Sequence, residues 1–382
     1  MTSRWSSPVS VSFATSLDPV QVTTKESSDA VRVGVIGCGA LARAVHLPLL
    51  SRMRDVRIVA LADPDASARD AAAFLAPHAT LHEEHRSLLA QRIDAVVIAS
   101  PPGMHMAQSV AAFERGVNVY LEKPLASSLA EGDEIVAAWK ESRAVGMIGF
   151  NYRFNPLLSS LKRDIAAGKV GRIIAVRSAF SIAVRPMPTW KQSRSTGGGV
   201  LLDLASHHVD LVRFLLGEDI AEASARLQSI RAEGDTAFLE LETRNGVRVQ
   251  SFFSLSATDQ DTFEIFGDRG RLVVDRMSSL GVQHLPASSR MTDRINRLGQ
   301  RAKSVRNAGH IIAKLRSPMH EPSFRLALDH FISAVRGTTT ASPDIDDGYA
   351  ALHAVVQAEN ASVPISGAAA GLSNARATLS PV

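Results

Sequence analysis

Asp203 and His207 stand four residues apart in a segment that begins with Gly197-Gly198-Gly199. On a helix this spacing puts both on one face, with Asp210 on the same stripe and Leu201, Leu204, Val212 and Leu215 opposite. An imidazole changes charge near neutral pH and can take a proton from a hydroxyl directly. Asp203 can accept from the ring or hold a substrate hydroxyl. Far upstream, Tyr120-Leu121-Glu122-Lys123-Pro124 closes a β-like run with an acid, an amine and a residue of fixed φ. An ammonium held there would stabilise the oxyanion that develops as an alcohol loses its proton. At ~5 Å and an effective dielectric of ~20 that attraction is about 3 kcal/mol.

A third group of residues has the spacing for binding. Gly37-Cys38-Gly39-Ala40-Leu41-Ala42 fits G-x-G-x-x-G/A and lies between a β-branched run and a helical segment, as a dinucleotide fingerprint requires. Gly37 allows the tight turn, Gly39 lets backbone approach a pyrophosphate, and Ala42 lets the helix pack close to the sheet. The helix start offers free N–H groups to the phosphates. Asp63 ends the second run, where an acid meets the adenosine ribose and repels a 2′-phosphate, which favours NAD over NADP. Asp63-Pro64 is also a fair helix start, and Arg43 could contact either cofactor's phosphates.

The elements that must position these groups follow from the pattern. Apolar runs at 31–37, 56–63, 94–100, 117–123 and 145–150 alternate with Ala-rich helical segments such as 65–76 and 106–116. This predicts a doubly wound parallel sheet covered on both faces, of the Rossmann type. Lys123 then falls at a strand's carboxyl end, where ligands of such sheets bind. After Asn151 the pattern changes to a helix at 156–168, a strand at 171–184 and a helix at 200–216. Strand runs then follow one another at 221–230, 236–243, 247–256, 261–268 and 270–275. Short turns such as Asn245-Gly246 make that sheet antiparallel, and helices at 323–337 and 347–360 close the chain. The fold class is therefore α/β, with an N-terminal Rossmann domain over 31–150 and a C-terminal α+β domain over 151–365.

Residues 1–30 and 366–382, rich in Ser, Thr, Ala and Gly, are expected to be disordered. The 285–320 region holds a basic insertion whose plainest form is a solvated helix. The 382 residues are 45% hydrophobic and 21% charged, an ordinary soluble composition. A net charge of +4 is weak support for a polyanion, so no nucleic-acid partner is expected. A single cysteine excludes an internal disulfide and a cysteine-based zinc site, and no metal is expected. No apolar run is long enough to span a membrane, and a cytoplasmic protein is the simplest expectation.

Taken in order, the fingerprint, Glu122-Lys123-Pro124 and the stretch from Gly197 to Leu211 resemble the glucose-fructose oxidoreductase/inositol dehydrogenase/rhizopine catabolism (Gfo/Idh/MocA) family. The resemblance runs over residues 31–362. It implies an NAD(P)-dependent dehydrogenase or reductase acting on CH–OH groups of sugars, inositols or nucleotide sugars. It also implies a second domain with a large open, mostly antiparallel sheet, through which a homo-oligomer (dimer or tetramer) is expected. Lys123, Asp203 and His207 match the family's catalytic group. The cofactor would meet Gly37 to Ala42, Asp63, Ser100, Pro101, His105, Glu122 and Lys123. The substrate would meet Tyr152, Arg153, Trp190, Asp203 and His207, with Lys191 beside Trp190 on a loop fit to cover a sugar ring. For Arg153 a structural role at the crossover stays equally open, and His208 is read as a packing residue. Pro102 replaces the Asn of the family's P-N-x-x-H stretch, which puts one loop contact in doubt. Two alternatives stay open: a glycosidase of the same fold that retains its NAD, and a cofactor-binding regulator without catalysis.

Overall fold

The computed structural model describes residues 30–194, 198–287 and 314–364. The expectations for the N-terminal extension, the C-terminal tail and most of the basic insertion fall outside the described residues, as does Gly197.

Six strands form a parallel sheet: β1 (Val31–Ile36), β2 (Val56–Ala62), β3 (Thr80–His82), β4 (Ala95–Ile98), β5 (Asn118–Leu121) and β6 (Gly146–Ile148). Their spatial order is β3-β2-β1-β4-β5-β6. They are linked by α1 (Leu47–Leu50), α2 (Ala66–Ala73), α3 (His85–Leu89), α4 (His105–Phe113) and α5 (Leu129–Ser142). All of β4, and all of β1 but Arg32, are buried, which is why these strands read as unbroken apolar runs. The strand order reverses between β1 and β4, so a crevice opens at their carboxyl ends.

The second half starts with α6 (Pro156–Ala166), whose first turn is capped by the Asn155 side chain accepting from Leu157 N. Then come β7 (Ile173–Ser181) and α7 (Ser206–Leu216). The remaining strands are β8 (Ile220–Gln228), β9 (Thr236–Thr243), β10 (Arg248–Ser254), β11 (Gln260–Gly267), β12 (Gly270–Asp275) and β13 (Gln283–Pro286). Two helices, α8 (Ser323–Val335) and α9 (Ile345–Asn360), precede β14 (Val363–Pro364). The eight strands lie in the order β13-β12-β11-β7-β10-β9-β8-β14. Most neighbours are antiparallel, as expected, but β7–β10 and β14–β8 are parallel. The first parallel pair arises because α7 and the β8–β9 pair intervene between β7 and β10. The sheet buries Val176, Leu239, Leu241, Val249 and Phe263 in one core with Leu201, Val209 and Val212 beside them.

Two features differ from the sequence expectation. The segment before α7 is a π-helical turn, Leu201–Ala205, rather than a continuous α-helix. And α8 buries Ala327, Leu328, Phe331 and Ile332 in one cluster with Val33, Val35 and Tyr120 of the parallel sheet. Helical periodicity marks the buried face of α8, but it does not say which sheet that face meets.

Candidate active site

The fingerprint turn follows β1. Gly37 has φ +90°, and a Cβ there would lie 2.6 Å from Ser100 N, so β1's turn and the loop after β4 all but touch. A Cβ on Gly39 would meet nothing within 4 Å, leaving a cradle open above the turn. Ala40 is exposed, Leu41 is half-buried and Ala42 is fully buried at the start of a π-helical turn, Ala42–His46, that runs into α1. Cys38 is buried, and burial first of all pushes its thiol up to about 12, so it is inert filling.

Asp63 is tied to this turn. Its Oδ2 accepts from Cys38 N at 2.7 Å and its Oδ1 from Asp65 N at 2.9 Å. It does not cap the next helix: Asp65 does, accepting from Ser67 N and Ala68 N. The carboxylate at the end of β2 is thus fixed beside the glycine turn, with lone pairs left for a ribose hydroxyl. The cradle over Gly39 and the acid beside it fit an adenine dinucleotide.

Of the loop after β4, Pro101 is exposed and Ser100 is half-buried, its hydroxyl donating to Gln108 Oε1 at 2.5 Å. Pro102 leads a short 3-10 turn, Pro102–Met104. His105 corrects the expectation. It is 0% exposed, with Nδ1 2.9 Å from Pro124 O and Nε2 3.0 Å from Ser100 O. It braces two loops against each other and has no surface for a ligand. Glu122 is also buried, its Oε1 2.9 Å from His46 Nε2, without the alignment of a hydrogen bond.

Lys123 follows β5, and the Lys123–Pro124 peptide is cis. Its Nζ donates to Asp203 Oδ1 at 2.9 Å and to Asp203 O at 2.6 Å. The other carboxylate oxygen, Oδ2, accepts from Lys191 Nζ at 2.8 Å. Burial pushes the Asp203 carboxyl up, but Lys123 and Lys191 outweigh it and hold the acid below the ordinary carboxylate range. Asp203 makes no hydrogen bond with His207 in the described structure: its oxygens accept from the two lysines, and the π-turn takes it out of the α-helical register assumed from the i, i+4 spacing.

The loop bearing Trp190 and Lys191 is fastened from two sides. A Cβ on Gly198 would lie 2.4 Å from Lys191 O, so only glycine lets the two backbone stretches pack. Arg194 makes a bidentate pair with Glu359 on α9 (2.7 and 2.8 Å) and donates to Ser127 O at 3.1 Å, just beyond Pro124. Trp190 is half-buried, with Lys191 Nζ 5.3 Å from its ring centroid.

His207 lies 4.4 Å, centroid to centroid, from the ring of Tyr152, at 23°. Phe150 and Phe180 meet it edgewise or tilted at 6.2 Å. Burial first, then the Lys123 ammonium, push the imidazole well below its ordinary value, so it is neutral at pH 7 and keeps a lone pair for a proton. Its Nδ1 is buried with no partner in the described structure. Tyr152, raised above its ordinary value chiefly by burial, is neutral as well. Arg276 lies 3.9 Å from the Tyr152 centroid and is held by Asp261 and Glu321. His208 is a packing residue, 3.0 Å from Ser178 Oγ and 3.2 Å from Asp261 Oδ1.

Arg153 takes the structural alternative. Its guanidinium pairs in bidentate fashion with Asp210 (2.9 and 2.6 Å) and reaches Asp347 at 3.0 Å, leaving no free edge for a sugar. The sequence reading missed Arg276, which no motif marks, and gave Lys191 no contact with Asp203.

Residues 31–150 match a family model described as "Oxidoreductase family, NAD-binding Rossmann fold", and residues 158–273 match the "GFO/IDH/MocA C-terminal domain". The chain belongs to the Gfo/Idh/MocA oxidoreductase family. Among its Gfo/Idh/MocA relatives, inositol 2-dehydrogenase 2 of Saccharopolyspora erythraea is 30% identical over 357 residues, 88% of this chain and 96% of the relative. The fold is shared with the WlbA dehydrogenase from Bordetella pertussis, solved with NADH and UDP-GlcNAcA. That match has TM-score 0.72 and 23% identity, over 87% of this chain and 96% of that one. It is shared too with a levoglucosan dehydrogenase solved with NADH and levoglucosan, at TM-score 0.69 and 21% identity over 87% and 97% of the two chains. Among the described residues, no helix is long and apolar enough to cross a membrane, and no three His, Cys, Asp or Glu converge as metal ligands.

Proposed function

We propose that this protein is an NAD-dependent dehydrogenase that oxidises a secondary alcohol of a cyclic polyhydroxy substrate, an inositol or a sugar, or runs the reverse reduction. The observation that carries this reading is the meeting of Lys123, Asp203 and a neutral His207 at the carboxyl edge of the parallel sheet. The names of the relatives, an inositol 2-dehydrogenase and a levoglucosan dehydrogenase among them, support the substrate class.

The turn from Gly37 to Ala42 would hold the pyrophosphate and Asp63 the adenosine ribose. The same carboxylate would repel a 2′-phosphate, so NAD is favoured over NADP. NAD, when bound, supplies the hydride acceptor. The chain's own groups handle the proton. A neutral ring nitrogen of His207 takes it from the substrate hydroxyl. The Lys123 ammonium donates a hydrogen bond to that oxygen as negative charge develops. Asp203, itself ionised, anchors Lys123 from both its side chain and its carbonyl, and Tyr152 fixes the plane of the imidazole. Trp190 covers the substrate from the loop.

The open face of the second sheet exposes Phe238 (48%), whose ring lies 5.3 Å from that of Phe252 on the neighbouring strand, and we infer that a second copy packs there.

The test is a panel of inositols, sugars and nucleotide sugars incubated with NAD and with NADP, read by formation of reduced cofactor. Net reduction with NAD on at least one polyol supports the reading. Glycoside hydrolysis without net NADH would favour the NAD-retaining glycosidase. Cofactor binding without turnover of any kind would leave the regulator.

A further inference from the structure

Lys123 and Lys191 share a single carboxylate. Lys123 Nζ sits 2.9 Å from Asp203 Oδ1 and Lys191 Nζ sits 2.8 Å from Oδ2. Two ammoniums face one carboxylate, so this trio carries one uncompensated positive charge. Among the described residues beside it, Tyr152 and His207 add no positive charge at neutral pH: they are stacked and uncharged. Arg276, near Tyr152, faces two carboxylates, Asp261 and Glu321, and Arg153 faces Asp210 and Asp347, so neither guanidinium adds free positive charge, and the surplus cation lies on the two lysines.

The two lysines are not equivalent. Lys123 is 15% exposed and held twice, by the carboxylate and by the Asp203 carbonyl. Lys191 is 28% exposed, makes one hydrogen bond to Asp203 and rides on the loop beside Trp190. Its backbone position is nonetheless fixed, by the close contact with Gly198 and by the Arg194–Glu359 pair three residues further on. A surplus cation at the mouth of a crevice, on an anchored backbone and with donors to spare, is the arrangement that recognises an anion.

We propose that Lys191 is a specificity-determining residue that selects ring substrates bearing an anionic substituent, a carboxylate or a phosphate, next to the oxidised carbon's face of the ring. The inference rests on the dehydrogenase reading, because it names the substrate class for that same site. The ammonium of Lys191 makes a charge-assisted hydrogen bond to the substituent while Asp203 stays with Lys123.

The experiment compares D-glucuronate, D-glucose 6-phosphate and D-glucose, in turnover with NAD and in calorimetric binding to the enzyme–NADH complex. Wild-type protein, Lys191→Gln and Lys191→Arg are measured side by side. Wild type is expected to favour at least one anionic sugar over glucose by ~10-fold or more, about one charge-assisted hydrogen bond. Lys191→Gln should lose most of that ratio and Lys191→Arg should keep it. Preference for glucuronate alone identifies a carboxylate, and for glucose 6-phosphate alone a phosphate. An anionic-to-neutral ratio near one in wild type, or a ratio untouched by Lys191→Gln, overturns the inference. If the anionic preference appears in binding but neither these sugars nor any member of the polyol panel is turned over with NAD, the inference stands and the dehydrogenase reading fails. Turnover without charge preference fails the inference alone.

Discussion

The imidazole of His207 lies almost parallel to the ring of Tyr152, 4.4 Å away, and Arg276 lies 3.9 Å from that same ring. A proton acceptor is useful only when its lone pair is aimed, and misplacement by ~1 Å can cost on the order of 10²-fold in rate. Tyr152→Phe keeps the flat partner, whereas Tyr152→Leu removes it. We expect Tyr152→Phe to stay within ~3-fold of wild-type kcat and Tyr152→Leu to fall ~10- to 100-fold. NAD affinity should be unchanged in both. Equal activity of Tyr152→Leu and wild type would show that the stack does not orient the base.

The acid side of the pH–rate profile tests the state of His207. Burial and Lys123 hold its value well below an ordinary histidine's. A lowered value means that the neutral, proton-accepting form persists on acidification. The profile of kcat/KM, which reports free-enzyme groups, should therefore pass through about pH 6.5 without a break. A loss of activity centred near about pH 6.5 would mean that His207 titrates normally or is not the base.

Stability should follow pH with a defined sign. His105 and His207, both buried, have folded values below their unfolded ones. The unfolded chain then binds more protons than the folded one below about pH 6.5, so stability is full above that value and falls as pH drops through it. Asp210 acts in the opposite direction, because burial pushes it up to about 6 against the pull of Arg153. Asp203 and Asp261, both lowered, add a second loss as pH falls below about 4. The expected Tm is lower at about pH 5 than at about pH 7, by calorimetry on the same preparation. A Tm that rises between those values on acidification contradicts the buried neutral histidines.

Two glycines should fail in different ways. A Cβ at Gly39 meets no protein atom, so Gly39→Ala should melt like wild type yet bind NAD at least ~10-fold more weakly. A Cβ at Gly198 runs into the backbone of Lys191 and Ser193, so Gly198→Ala should cost about 1–3 kcal/mol of stability and displace the Lys191 loop. Cofactor titration and thermal melts of the two variants separate these effects. Unaltered NAD binding by Gly39→Ala would remove the cradle from the account.

These pairs also show where sequence reasoning works and where it stops. Gly37 and the buried run of β4 were legible because periodicity and turn chemistry are local. So was the strand end that carries Lys123. The contact of Lys123 with Asp203 spans 80 residues and that of Arg276 with Glu321 spans 45, and no local pattern encodes either. The i, i+4 spacing of Asp203 and His207 was read on an ideal helix, and a π-turn broke that assumption. His105 and Arg153 look like ligand-binding types in sequence. Only the carbonyls around one and the carboxylates around the other reveal that both are spent on structure.

The central claim, that the crevice moves a hydride from a substrate carbon while His207 and Lys123 manage the proton, has a direct test. The best substrate of the polyol panel, carrying deuterium on its ring carbons, is incubated with NAD and wild-type or Lys123→Met protein, and the NADH is analysed by mass spectrometry. Deuterium should appear in the NADH formed by wild type, and Lys123→Met should form it at least ~10²-fold more slowly while still binding NAD. NADH free of deuterium, or a Lys123→Met variant as fast as wild type, would contradict the account.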